Sequence, residues 1–324
     1  MAAQVLAVVN MKGGVGKTAT VVTVAETLAA RGLGPILVID VDTQASASYC
    51  LAGDQQLKEL ITSRTTIDQF LERRLLKQDA VPFDHFVRRQ VSNTTATRRG
   101  QLDVALVASS TNLRISERDI LHRLTQQGAS LTGIEEKLSN TLAAELQRVG
   151  QEFKFVIFDC APGISPFTTA AVSLANLVIV PTIPDFLSCL GLDAFLHTVT
   201  RDMTHVAGKR PPHVLITRSV ARSKQGFMSL WNPVRGRNLR TNHHAESEAM
   251  IRLLAKDGPT KFKVFKTMLD ETPAIPVALS MGMRHQVIKN GKQTLVAPTY
   301  DQKYPRALFD TLEQLTKEIQ EALR

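Results

Sequence analysis

The sequence is poor in aromatic residues, which make up 5% of its 324 residues with a single tryptophan. Its core must therefore be built mainly from aliphatic side chains. Cysteine is nearly absent. Cys50, Cys160 and Cys189 are far apart and fit no metal or disulfide spacing, which excludes a disulfide framework and fits a reducing compartment. No run of about 18 apolar residues exists, so no apolar helix long enough to span a bilayer is expected. The first residues lack a basic segment followed by an apolar one, so no secretory leader is expected. No internal repeat or low-complexity tract stands out. Acid is missing from one stretch in particular. From Met203 to Ala245 there are eight Lys or Arg and no Asp or Glu, against a net charge of +9 for the whole chain. A basic patch confined to one region is the footprint of a polyanionic partner.

What is present is organised around Asn10-Met11-Lys12-Gly13-Gly14-Val15-Gly16-Lys17-Thr18. The apolar run Val5 to Val9 before it reads as a buried parallel strand. The stretch Ala19 to Ala30 after it reads as a helix, with Val22, Ala25, Leu28 and Ala29 on one face. Strand, glycine loop and helix in that order are the setting a phosphate-binding loop requires. Gly13, Gly14 and Gly16 let the backbone curl so that successive N–H groups, through Val15 to Ala19, form an anion nest at the helix N-terminus. Lys17 would reach the β- and γ-phosphates, and the Thr18 hydroxyl would ligate Mg²⁺. A second buried strand, Ile36 to Ile39, ends at Asp40-Val41-Asp42-Thr43-Gln44. In open α/β sheets ligands bind at the carboxyl ends of strands, which places Asp40 and Asp42 beside the loop. A third run, Phe155-Val156-Ile157-Phe158-Asp159, is four apolar residues and an acid. Asp159 at its tip would meet Mg²⁺, usually through water.

The loop departs from the general G-x-x-x-x-G-K-[ST] pattern: Met11 stands at the first glycine, and Lys12 follows it. In this it resembles the deviant Walker-A loop of the ParA/MinD family of P-loop ATPases. The segment Asp40 to Gln44 is similar to the family's switch I, D-x-D-P-Q, with Thr43 replacing proline. Cys160-Ala161-Pro162-Gly163 resembles its switch II. The resemblance implies an α/β fold, a mostly parallel twisted sheet flanked by helices on both faces. It implies ATP and Mg²⁺ as ligands, a homodimer formed on ATP binding, and a Lys12 that crosses the interface to the partner's phosphates. It further implies that Asp42 orients the attacking water, that Asp40 is an additional candidate for the metal, and that Thr217 lies near the adenine. Arg222 matches an arginine that chromosomal partition members use for DNA. With Arg218, Lys224, Arg235, Arg237 and Arg240 it makes the candidate DNA-binding set.

One domain is expected over residues 1–324, with elaborations at about 51–104 and 227–247, the latter a loop more than a helix. Helices are expected over Thr66–Leu76, Leu113–Gln127 and Ile134–Val149, strands at 104–107, 177–182 and 214–217, a last strand at Val264–Met268, and a final helix from Tyr304. Because the first strand starts at once, no N-terminal helix-turn-helix domain is expected. The function so implied is an ATPase that binds DNA without sequence preference in its ATP state, in the cytoplasm on the nucleoid. It would position a plasmid, a chromosome origin or a protein assembly, with a ParB-like adaptor stimulating hydrolysis. Three rivals share the loop. A MinD-like membrane-cycling ATPase needs a basic amphipathic C-terminal helix. The last helix here has a mixed face of Glu313, Lys317, Glu318, Glu321 and Arg324, so its apolar stripe reads as core packing. An iron–sulfur reductase needs a matched cysteine set, which is lacking. A metabolic ligase or kinase needs a second substrate pocket that the sequence does not reveal.

Overall fold

The computed structural model describes residues 3–96, 100–201, 210–219, 239–280, 285–289, 292–296 and 298–324. Its frame is one sheet of eight strands: β1 (Gln4–Val8), β2 (Ile36–Val41), β3 (Val104–Val107), β4 (Phe155–Cys160), β5 (Leu177–Thr182), β6 (His213–Ser219), β7 (Lys263–Val264) and β8 (Leu269–Asp270). The order across it is β8-β6-β5-β1-β4-β2-β3, with β7 also paired to β6, and every pairing is parallel. Parallel strands need helical crossovers, which cover both faces and make the strands continuously apolar.

Alternate residues of one strand feed opposite cores. Leu6 and Val8 join a cluster with α1 (Lys17–Ala30), α2 (Ser46–Thr62) and the C-terminal helix. Ala7 and Val9 join the cluster on the other face. It contains α3 (Ile67–Leu75), α4 (Leu113–Gln126), α5 (Leu131–Val149), α6 (Pro166–Leu174) and α7 (Phe186–Arg201). α8 (Leu239–Asp257) packs on α7, and α9 (Ala274–Ser280), α10 (Tyr300–Lys303) and α11 (Arg306–Ala322) complete the chain. Leu312, Leu315 and Ile319 of α11 are fully buried, and each such side chain contributes about 2 kcal/mol relative to exposure.

Four expectations change. Residues 46–62 form a helix, hidden in the sequence by Gly53, whose φ of 71° and ψ of 172° break it midway. Val264–Met268 is not the last strand. Pairing is limited to Lys263–Val264 and Leu269–Asp270, and an antiparallel hairpin, His285–Lys289 with Lys292–Val296, follows. The final helix starts at Arg306, because Pro305 lacks the N–H that a helix interior needs and stands just before it, and a short helix with a Thr299 capping box precedes it. The 227–247 stretch is helical from Leu239 onward.

Candidate nucleotide-binding site

β1 delivers the glycine loop at the carboxyl edge of the sheet, and α1 leaves from it. Gly14 and Gly16 have φ of 74° and 89°, a left-handed conformation that a side chain would strain. Gly16 is the residue before α1, so the free N–H groups of that helix, from Lys17 through Thr18 and Ala19, open into the loop. No acidic residue lies in the first turn of α1 to compete for them. The loop is braced from below. Val15 is fully buried, and its carbonyl accepts the Thr217 hydroxyl at 2.8 Å. Asn10 donates to the Pro181 carbonyl at 2.7 Å and accepts the Lys12 amide at 3.0 Å, tying the loop to β5. Lys17 folds over it, donating to the Lys12 carbonyl at 3.0 Å. Burial lowers the pKa of Lys17, against the opposing pull of Asp159 and Asp42.

The acidic side follows from strand register. β2 and β4 are neighbours with Asp40 directly opposite Asp159, both without exposed surface. Asp159 accepts the Thr18 hydroxyl on Oδ2 at 2.8 Å, while its Oδ1 is buried with no hydrogen-bond partner. Burial, then the charge of Asp40, raises the Asp159 pKa well above the carboxylate range. An orphaned carboxylate oxygen beside a hydroxyl is a fit for a hard cation. Among the described residues no three His, Cys, Asp or Glu side chains converge to hold an ion alone. Such an ion would take most of its ligands from water and phosphate, the habit of Mg²⁺.

Asp40 is placed differently from a metal ligand. Its Oδ1 accepts the Asp42 amide at 3.0 Å, and its Oδ2 accepts both the amide and the hydroxyl of Ser48, at 2.8 and 2.7 Å. Burial raises its pKa to about 6, against these hydrogen bonds. Ser109 donates through its hydroxyl to the Asp42 carbonyl at 2.7 Å and through its amide to Ser48 Oγ at 2.8 Å. Asp42, 6% exposed, is thus held from both sides, with its own Oδ1 accepting the Gln44 amide at 2.9 Å. Ser48, Ser109 and Asn10 were not singled out by sequence. Short polar residues at strand and helix ends are too common there to be distinctive.

Other expected residues have partners within the chain. Thr217 is 3% exposed, and its hydroxyl supports the loop. Lys12 is bonded to Asp185 and Ser188 of the same chain, at 3.0 and 2.8 Å. Arg218, expected on DNA, pairs with Glu271 at 3.0 Å and reaches the Gly14 carbonyl at 3.5 Å, on the nucleotide side. Arg222, Lys224, Arg235 and Arg237 lie outside the described residues. Arg240 falls in α8, where only the backbone is described.

A sequence profile described as an AAA domain matches residues 3–207. The chromosome partitioning protein ParA of Caulobacter vibrioides is 28% identical over 206 residues, 61% of this chain and 62% of that protein. The chain belongs to the ParA family of P-loop ATPases. Among solved structures, apo McdA of Cyanothece superposes with a TM-score of 0.62 at 17% identity, covering 99% of both chains. The ParA of pNOB8 bound to nonspecific DNA gives 0.61 at 15% identity, covering 99% of this chain and 98% of that one. At these identities the likeness is one of ParA-type fold. The matched stretch spans 43–64% of the length of the first curated relatives.

Proposed function

We propose that this ParA-family chain is an ATPase that pairs when it binds ATP and Mg²⁺, binds DNA without sequence preference in that state, and positions a cargo. The observation that carries the reading is the second lysine, Lys12, set in a glycine loop whose Thr18 meets the buried, half-unpaired Asp159. A Mg²⁺ ion held beside Thr18 and Asp159 would supply positive charge against the phosphates. The chain's own part is positioning. The amides at the start of α1 and the Lys17 ammonium bind the phosphates, Thr18 would ligate the ion and Asp159 would hold it through water, and Asp42 orients the attacking water. Asp40, Ser48 and Ser109 fix Asp42. Lys12 of each subunit serves the other's nucleotide, so hydrolysis waits for assembly. The basic residues between Met203 and Ala245, Arg218 excepted, supply the DNA surface, doubled in the dimer. A cargo-bound adaptor stimulates hydrolysis and so returns the protein to its DNA-free state. The pNOB8 ParA was solved on nonspecific DNA, which supports this partner. Burial of the α11 stripe weighs against a membrane role, and among the described residues no helix is long and apolar enough to cross a bilayer.

The test is binding to a duplex of arbitrary sequence with no nucleotide, with ADP, and with ATP and Mg²⁺. Wild type should bind only with ATP. If the dimer meets about six to ten phosphates, affinity should fall roughly a thousandfold or more between 50 and 200 mM salt. Lys12→Ala should lower ATP hydrolysis by about a hundredfold or more. Equal binding in all nucleotide states would refute the switch, and no binding in any state would refute the DNA partner.

A further inference from the structure

A polar cavity of about 240 Å³ lies beyond the carboxyl end of the edge strand β3, outside the nucleotide site. Its walls are the turn after α2, the first turns of α3, and the Ser110–Asn112 segment that leads into α4. Charged residues of both signs line it. Arg64 and Lys77 are exposed cations, and Asp68 and Glu72 are acids four residues apart on one face of α3. Neighbouring arginines have acidic partners, Arg73 in Asp79 and Arg74 in Glu145. Among the described residues, Arg64, Lys77, Asp68 and Glu72 enter no ion pair within 4.0 Å. Opposite charges that share a cavity without closing on one another leave space for a molecule that carries both.

The acidic wall is the deeper one. Asp68 is 1% exposed. Its Oδ1 accepts the Ser110 hydroxyl at 3.0 Å, while its Oδ2 meets only the Gln69 side-chain amide, at a long 3.4 Å. Glu72 accepts the Ser116 hydroxyl on Oε1 at 2.5 Å. Like charges at this helical spacing repel, and a buried carboxylate without a counter-charge is costly. A cation seated between the two acids relieves both penalties.

The walls are also fixed. Ser110 Oγ accepts the Asn112 amide at 3.2 Å, and the adjacent Ser109 is tied to Asp42 and Ser48. The Lys77 amide donates to the Glu72 carbonyl at 3.2 Å, which sets that cation beside the acidic face. Arg64 has a φ of 57°, a conformation that costs a side chain of its size and that folds retain at binding sites. The cavity is smaller than the roughly 300–1,000 Å³ of drug-sized sites, so its ligand is small.

We propose that this cavity binds a small α-amino acid, with its ammonium on Asp68 and Glu72 and its carboxylate between Arg64 and Lys77. The site is independent of the ATP-driven pairing proposed above.

The test is a ligand-observed NMR titration of the full chain with L-alanine, with L-alaninamide, which lacks the carboxylate, and with N-acetyl-L-alanine, which lacks the ammonium. L-Alanine should bind saturably, and each analogue at least tenfold more weakly, the worth of one lost charged hydrogen bond. Asp68→Asn keeps an acceptor for Ser110, and should bind L-alanine at least tenfold more weakly while narrowing the gap between L-alanine and its N-acetyl form. Arg64→Gln and Lys77→Gln change exposed side chains, and each should weaken L-alanine about threefold and narrow the gap to the amide. These two variants decide the matter if Asp68→Asn does not fold. Absence of saturable L-alanine binding to wild type overturns the proposal. Equal binding of the amide would make this a site for a cation, and equal binding of the N-acetyl form a site for an anion; either result overturns it too. So does wild-type affinity for L-alanine in folded Asp68→Asn, or in both Arg64→Gln and Lys77→Gln.

Discussion

Asp40 and Asp159 lie side by side on adjacent strands, fully buried, and both hold their protons more tightly than free carboxyls do. The sign of the consequence follows. A carboxyl with a raised pKa in the folded state adds stability that is complete below its ordinary value near 3.8 and is lost as pH rises through about 6. At neutral pH the nucleotide-free protein therefore carries buried negative charge, which a divalent ion relieves. The rise in melting temperature on adding ATP with Mg²⁺, relative to ATP alone, should be larger at pH 7.5 than at pH 5. Equal gains at both would refute this account. Arg218 invites a second residue-level experiment. It has a φ of 53°, unusual for a side chain of its size, and is fixed between Glu271 and the Gly14 carbonyl. Arg218→Ala should loosen the loop and raise the KM for ATP about threefold, while the duplex affinity of the ATP state stays within twofold of wild type. A titration showing the reverse would return Arg218 to the DNA surface.

At the scale of elements, α1 is the hinge between chemistry and stability. Lys17 and Thr18 open it, and Glu26 sits two turns further on with no exposed surface. Glu26 accepts from Lys303 at 2.8 Å, Tyr304 at 2.5 Å, and Ser92 and Thr94 at 3.0 Å each. Lys303 is 1% exposed. A buried charge left without its counter-charge is strongly destabilising, whereas removing both charges can be nearly neutral. Lys303→Met should therefore lower stability by about 3–5 kcal/mol. Glu26→Gln combined with Lys303→Met should recover more than half of that, read from denaturant unfolding as a double-mutant cycle. Additive losses would mean that the ion pair is not the seat of the effect.

At the scale of the whole molecule, the sheet and its carboxyl edge were legible in the sequence, because four or five apolar residues ending in an acid or a glycine loop can hardly be anything but a buried parallel strand. Val5 to Val9, Ile36 to Asp40 and Phe155 to Asp159 are such runs, and they carried Lys17, Thr18, Asp42 and Asp159 into one place. What the sequence hid was long-range or locally ambiguous. Asp185 caps the start of α7 through the Ser188 amide. Its pairing with Lys12 spans 173 residues and leaves no local trace. Gly53 concealed α2 by interrupting its period, and nothing local marks Lys303 as buried. The eight cations between Met203 and Ala245 were visible at once, but a count of charge gives no position, and Arg218 turned toward the nucleotide loop.

The network on Glu26 also bears on the order in which the protein can be made. Glu26 and Lys303 are 277 residues apart in the chain. As the chain leaves the ribosome from its N-terminus, the glycine loop and α1 emerge early, yet the counter-charge that seals α1 into the core arrives only after some three hundred residues have been joined. Until then the nascent chain carries the glycine loop on a helix whose Glu26 lacks its counter-charge.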